Sequence, residues 1–310
     1  MRVVDAAATA AALPFARLVS AVQQMFAQGC TVPPRHVHEV PAPDGGKFTS
    51  LLMPAWVEGR YYGIKTINIA PGNAARGLPG LHASYVLYHG VTGVPLALID
   101  GNEITARRTA AASALAASWL ARDDARHLLV VGAGQVARLL PAAYGAVRKI
   151  ERVSVWARAP EKADALAAHL RAQGMEARAV PDLQAACGAA DIVSCATLAT
   201  EPVVRGAWLR PGSHLDLIGS FTPAMREADD ACFEGAAIYV DTTEALQKSG
   251  ELLGPLARGV FRAQDVRGTL EALARGTVQG RTSPEQRTVF KSVGTALEDL
   301  AAAIAVYENP

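Results

Sequence analysis

The chain has 310 residues, half of them hydrophobic, which is enough to bury a large core and to divide into two domains. Its 30 basic and 29 acidic residues leave a formal net charge of +1, so no broad field favours a nucleic acid or a membrane, and neither is expected as a partner. Cys30, Cys187, Cys195 and Cys232 lack both CxxC spacing and disulfide-framework density, so they read as reduced thiols, and no metal site is expected. The alanine-rich start has no basic region ahead of an apolar run, and no stretch of about 18 apolar residues occurs; a cytoplasmic location is the expectation.

In chain order, Leu13, Ala16, Val19, Val22 and Phe26 have the apolar spacing of a helix over 13–28, stopped at Gly29. Strands follow over 36–40, 48–53, 61–69, 84–88 and 95–99, broken by Pro and Gly turns into a mostly antiparallel sheet. An alanine-rich helix over 103–121 connects to a second region. There, strands at 128–131, 153–156, 177–180, 192–195, 214–218 and 237–240 alternate with helices, the pattern of a parallel sheet. Val289, Val293, Ala296, Leu297, Leu300 and Ile304 predict one long helix over 284–307 that packs back on the N-terminal region. The expected class is α/β: a Rossmann-type doubly wound parallel sheet domain over 119–284, and an α/β substrate-binding domain formed by 1–118 with 285–310.

Residues 127–137, HLLVVGAGQVA, run a buried strand into a glycine turn. Gly132 permits the tight turn, Gly134 lets backbone approach a pyrophosphate, and Ala137 replaces the third glycine where helix meets strand. The helix that follows presents unpaired N–H groups and its positive dipole end. Gly132, Ala133, Gly134, Gln135 and Val136 are therefore the expected cofactor contacts. A second strand in 152–158, RVSVWAR, completes a βαβ unit of ~30 residues. Arg158 stands just past that strand with no carboxylate before Glu161, which favours a 2′-phosphate and hence NADPH. A solvated Arg158, or Glu161 turned back to the ribose, leaves NADH open.

Cationic candidates stand in the N-terminal region. Arg35 follows Pro33 and Pro34, Lys65 sits among Ile64, Ile67 and Ile69, and Arg107 and Arg108 precede Thr109. A lysine inside such a strand is either an edge charge or an inward one that needs a partner. An arginine grips a carboxylate through two N–H bonds, whereas a helix salt bridge to Glu103 is the plainer use of either neighbouring arginine. Spacing does not choose between Arg107 and Arg108.

GIKTINIAPGN at 63–73, LALIDGNEIT at 96–105, RTAAAS at 108–113, the turn at 132–134 and TVFKSVG at 288–294 occur in order along nearly the whole chain. Together they resemble the ornithine cyclodeaminase and mu-crystallin family, and are most similar to its ketimine (Δ1-pyrroline-2-carboxylate) reductase branch. The resemblance implies a homodimer whose N-terminal sheet, completed by the C-terminal helix, carries substrate binding and dimerisation. It implies that Arg35, Lys65 and Arg108 line the substrate pocket, and that Arg108, directly before Thr-Ala-Ala, is the carboxylate ligand. His82 matches a substrate-touching histidine of mu-crystallin-like members, with an ordinary loop histidine as the alternative. Thr109, Thr197 and Ser292 complete the expected cofactor set.

One departure separates activities within that family. Its cyclodeaminases carry an aspartate in the loop after the strand at 214–218, where this chain has Phe221. A phenyl ring neither accepts a proton nor anchors an ammonium group. The resemblance then implies NAD(P)H-dependent reduction of a small cyclic imino acid, Δ1-pyrroline-2-carboxylate or Δ1-piperideine-2-carboxylate, to L-proline or L-pipecolate. In that reading Arg108 and Arg35 hold the carboxylate and Phe221 packs on the ring with Ser220 beside it. Lys65, its pKa lowered by two arginines, handles the proton, with His82 as second choice. A loop shifted by one residue would instead bury Phe221 and bring Ser220 to the site. The alternatives are an amino-acid dehydrogenase of alanine or N-alkyl-amino-acid type, acting on pyruvate with ammonia or an amine, an ornithine cyclodeaminase, which Phe221 disfavours, and a mu-crystallin-like binding protein.

Overall fold

The computed structural model describes residues 1–309 except Asp44, with backbone alone for Ala74. The chain forms two compact units, Met1–Arg108 with Thr295–Pro310, and Thr109–Gly294.

The first unit opens with β1 (Arg2–Val4), α1 (Ala6–Ala12) and α2 (Phe15–Gln28). The expected single helix over 13–28 is shortened because Pro14 lacks an N–H and restricts Leu13 before it; the chain turns there and α2 starts at Phe15. Helix α2 buries Leu18, Val19, Val22, Met25 and Phe26 along one stripe. It ends at Gly29, at φ 83°, where the N–H bonds back to the Met25 carbonyl at 2.8 Å.

Next come β2 (His36–Pro41), β3 (Lys47–Val57), β4 (Tyr61–Ile69), β5 (Leu81–His89), β6 (Pro95–Asp100) and α3 (Gly101–Leu120). Strands β2 to β6 form an antiparallel meander, and β1 joins its edge parallel to β6, giving the order β1-β6-β5-β4-β3-β2. Side chains alternate strictly. Gly63, Lys65 and Ile67 of β4 and Tyr85 and Leu87 of β5 are buried, while Tyr62, Ile64, Val86 and Tyr88 between them are half-buried.

The second unit contains β7 (His127–Val131), α4 (Gln135–Gly145), β8 (Arg152–Trp156), α5 (Pro160–Ala172), β9 (Ala177–Ala179), α6 (Leu183–Ala189) and β10 (Ile192–Cys195). It continues through β11 (His214–Leu217), β12 (Ala237–Val240), α7 (Ala245–Lys248), α8 (Gly250–Ala257), β13 (Val266–Thr269), α9 (Leu270–Ala274) and β14 (Thr288–Lys291). All eight strands run parallel in the order β13-β12-β14-β11-β10-β7-β8-β9. Asp216 of β11, fully buried, accepts hydrogen bonds from Ser113 (3.1 Å), Tyr144 (2.9 Å) and Ser194 (2.5 Å). Burial pushes its carboxyl up to about 6.

The expected helix over 284–307 is corrected by β14, which lies between β11 and β12 with every residue buried. A short strand covered on both faces is apolar throughout, so its spacing cannot be told from that of a buried helix. Gly294, at φ 77°, ends the strand's run, and Thr295 caps α10 (Ala296–Glu308), which returns to the first unit against α2 and β3 to β5. The unit boundaries therefore lie at 108/109 and 294/295 instead of 118/119 and 284/285. β14 belongs to the parallel sheet, and Ser113 on α3 already bonds into it.

Candidate functional site

In the first unit, Lys65 stands in the middle of β4 with no exposed surface and points to the face that α10 covers. Its Nζ lies 2.6 Å from Asp299 Oδ2. The other oxygen of that carboxylate, Oδ1, is 2.9 Å from Arg108 Nε, and Arg108 Nη1 donates to Glu298 Oε2 at 2.5 Å. Arg108 is buried, and Glu298 and Asp299 have no exposed surface. Two cations and two anions thus share one interior site. Tyr85, the cross-strand neighbour of Lys65, is also buried; its hydroxyl occupies the place a Cβ on residue 63 would need, so glycine fits at Gly63.

Burial lowers the Lys65 ammonium to about 8; Asp299 pulls it back up and Arg108 pushes it further down. The expected cause, two arginines, is therefore secondary to desolvation. Arg107 takes the plainer role, with Nε 2.6 Å from Glu103 one turn away and Nη1 donating to the Leu13 carbonyl at 3.1 Å. Arg35 is half-buried just ahead of β2, two strands from β4. His82 is not in a loop. It is exposed on β5 opposite Asn68, three positions from Tyr85, and strand alternation turns it to the sheet face away from Lys65. It is thereby removed as a second proton donor within this chain's unit.

Glu298 and Asp299 were missed by sequence reasoning. Their signal was present: two adjacent acids stand in a helix that is otherwise apolar all round, TALEDLAAAIAV, so solvent could not take both.

In the second unit, the strand β7 ends in the glycine turn. Gly132 is at φ 122°, and a Cβ there would sit 2.5 Å from the Ala196 carbonyl oxygen. Gly134 caps α4 without a side-chain hydrogen bond, and a Cβ on it would meet no described atom within 4 Å. Open space over an uncapped helix N-terminus fits a pyrophosphate, which the backbone of Gly132, Ala133, Gly134, Gln135 and Val136 would hold. Ala137, fully buried, packs beneath.

Of the other expected contacts, Thr109 lies within α3, and Arg158, Thr197 and Ser292 follow the carboxyl ends of strands in the parallel sheet, where doubly wound sheets bind ligands. Thr197, after β10, donates its N–H and hydroxyl to Glu227 Oε1 at 2.7 and 2.8 Å, and Gly219, after β11, donates to Oε2 at 2.6 Å. Glu251 accepts from the backbone of Glu227 (2.7 Å) and Ala228 (2.9 Å), and burial pushes its carboxyl up to about 7. Ser292 is buried after β14, and Thr109 is half-buried at the start of this unit. Arg158 opens on a cleft of about 340 Å³ with Trp156, Ala157, Pro160 and Asp164.

The loop after β11 corrects one expectation. Ser220 has no exposed surface; its hydroxyl donates to the Met225 carbonyl at 2.5 Å and meets Ser249 Oγ at 3.0 Å, so its hydrogen bonds are made within the loop. Phe221 is 45% exposed, which also rules out the shifted loop with a buried ring. Leu198, after the neighbouring β10, is 76% exposed.

A sequence model of the ornithine cyclodeaminase/mu-crystallin family matches residues 6–310. The chain belongs to this family. It is 47% identical over 279 residues to the Δ1-pyrroline-2-carboxylate reductase of Paracoccus denitrificans, covering 89% of this chain and 88% of that protein. Among solved structures it is similar to the Thermococcus litoralis Δ1-pyrroline-2-carboxylate reductase in complex with NADH and L-proline, with a TM-score of 0.93 and 32% identity over 100% of this chain and 97% of the other. An archaeal alanine dehydrogenase dimer with bound NAD follows at a TM-score of 0.90 and 30% identity, over 100% and 95% of the two chains.

Proposed function

We propose that the chain is a nicotinamide-dependent oxidoreductase that reduces the C=N bond of a small cyclic ketimine carboxylate, Δ1-pyrroline-2-carboxylate or Δ1-piperideine-2-carboxylate, to L-proline or L-pipecolate. The observation that carries this reading is the buried quartet of Lys65, Arg108, Glu298 and Asp299. Its charges cancel. A zwitterionic iminium carboxylate adds no net charge to such a site, whereas a 2-oxo acid adds a full negative one to a desolvated interior. A nicotinamide, whose pyrophosphate the glycine turn at Gly132 and Gly134 would hold, would supply the hydride. Arg108 holds the carboxylate in the fixed fork of its guanidinium. Lys65, with an ammonium that titrates near 8, holds the proton for the imine nitrogen at neutral pH and can release it. The exposed phenyl of Phe221 offers no carboxylate for deaminating ornithine. The reductases of Paracoccus and Thermococcus support the five-membered ring.

The test is the absorbance of reduced nicotinamide in the presence of each candidate. Oxidation with a cyclic ketimine, and none with ornithine or with pyruvate lacking ammonia, is expected. Oxidation with pyruvate and ammonia alone would move the chain to the alanine dehydrogenase reading that the archaeal neighbour suggests.

For the cofactor we propose NADPH, with NADH also accepted. Arg158 and Asp164 line one cleft, a cation for a 2′-phosphate and an anion for a 2′-hydroxyl. Arg158→Ala is expected to raise KM for NADPH roughly ten-fold and to leave KM for NADH nearly unchanged; equal effects on both would remove the assignment. We also propose a homodimer through the sheet face away from α10, where Trp56, Tyr62, Ile64, Val86, Tyr88 and Leu98 are only half-buried. Sedimentation of the purified protein as a 32.5 kDa species at assay concentration would overturn that.

A further inference from the structure

We propose that Asp299 is a positioning residue for the reaction: its single carboxylate sets the places of the Lys65 ammonium and the Arg108 guanidinium relative to one another. This rests on the reading of Lys65 and Arg108 as the groups that meet substrate.

The geometry is that of a clamp. Oδ2 lies 2.6 Å from Lys65 Nζ and Oδ1 lies 2.9 Å from Arg108 Nε. Lys65 comes from the centre of a sheet, Arg108 from α3 and Asp299 from the first turn of α10, so three elements far apart in sequence converge on one group. Asp299 is itself locked, on a helix whose residues are buried from Ala296 to Val306 and whose start is capped by Thr295. Glu298 holds the guanidinium from another edge at 2.5 Å. Both cations therefore share one carboxylate.

Stability does not explain the arrangement. Buried ion pairs are weak net stabilisers, and well-packed apolar residues of similar volume replace them at little cost or with gain. Four charges retained in a core are instead a means of holding charged atoms at fixed separations.

The groups that face Lys65 are Asp299 and Glu298 from α10, Arg108 from α3, and Tyr85 from β5. Tyr85 stays neutral, since burial pushes its phenol well above the ordinary range, with Asp299 and Cys30 adding to the rise. Asp299 is thus the largest of the influences that keep Lys65 protonated against burial. Neutralising it lowers the lysine further.

The experiment uses the full-length protein. Asp299→Asn is expected to lower kcat for the cyclic ketimine about ten-fold or more, to raise its KM, and to move the high-pH limb of the kcat profile down by about one to three units. The dissociation constant for NADH is expected to stay as in wild type. Asp299→Glu keeps the charge and displaces it, so the pH limb returns toward the wild-type position while kcat stays low. Wild-type kcat and pH limb in Asp299→Asn would overturn the proposal.

A readout free of turnover separates this from the substrate reading. In protein labelled with 13C at the lysine ε-carbon, the resonance that Lys65→Met removes is expected to titrate near 8 in wild type and lower in Asp299→Asn. An unchanged midpoint overturns the positioning role even where a ketimine proves not to be the substrate. Absence of ketimine turnover in wild type with a shifted midpoint sinks only the substrate reading. The pair Lys65→Met with Asp299→Leu is expected to fold, with a Tm lowered by the contact that Arg108 Nε loses, and to show no turnover; failure of that pair to fold would assign the quartet to stability and overturn the proposal too.

Discussion

Lys65→Met is expected to lower kcat for ketimine reduction by about 10²- to 10⁴-fold, the range a positioned acid contributes, with the NADH dissociation constant little changed. The lysine stands in the unit formed by Met1–Arg108 and Thr295–Pro310, whereas the glycine turn belongs to Thr109–Gly294. In wild type, activity is expected to fall as pH rises through about 8, because the ammonium loses its proton there and the donor disappears. The stability term has its own sign. Burial holds the folded-state pKa below the ordinary value of 10.5, so the protonated form is disfavoured in the fold. The contribution of this group is therefore present above 10.5 and is lost as pH falls through about 8. Removing one partner of a buried pair costs about 3–5 kcal/mol, so Tm is measured alongside the rate, and the kinetics are run well below it. Wild-type kcat in a folded Lys65→Met would end the proton-donor assignment.

Gly132→Ala and Gly134→Ala are expected to separate two uses of glycine at the same turn. At Gly132 the backbone is at φ 122° and the new methyl would meet the Ala196 carbonyl oxygen at 2.5 Å. Strain there is about 1–3 kcal/mol before the clash is counted, so Tm falls and cofactor binding falls with it. At Gly134 φ is −80°, which alanine adopts freely, and the methyl enters open space. Tm is expected to hold, while the dissociation constant for reduced nicotinamide rises about ten-fold or more, because the methyl occupies the pyrophosphate's approach. Calorimetry and fluorescence titration check the two arms. Wild-type cofactor affinity in Gly134→Ala would show that the turn is structural alone.

The parts of this protein legible in its sequence were those carried by local geometry. The turn at Gly132 and Gly134 was readable because only glycine permits that backbone path. The strands from β2 to β6 were readable because half-covered strands alternate, and Arg158 and Phe221 because each follows a strand whose end can be counted. The order of separated motifs gave the family. Short strands covered on both faces lose their alternation, which is why 288–291 passed for helix and displaced the C-terminal unit boundary.

The identity of the chemical groups was thus determined by the sequence: a lysine inside a strand, an arginine before Thr109, a phenylalanine where a carboxylate would be needed. Their partners were decided only by the tertiary structure. Asp299 meets Lys65 and Arg108 across more than half the length of the chain. Strand alternation removed His82 from their side of the sheet, and the fold of one loop used up the hydroxyl of Ser220. No local pattern encodes such meetings. They follow from burial, which leaves a charge in the core no solvent and so makes whatever the fold brings within about 3 Å its partner.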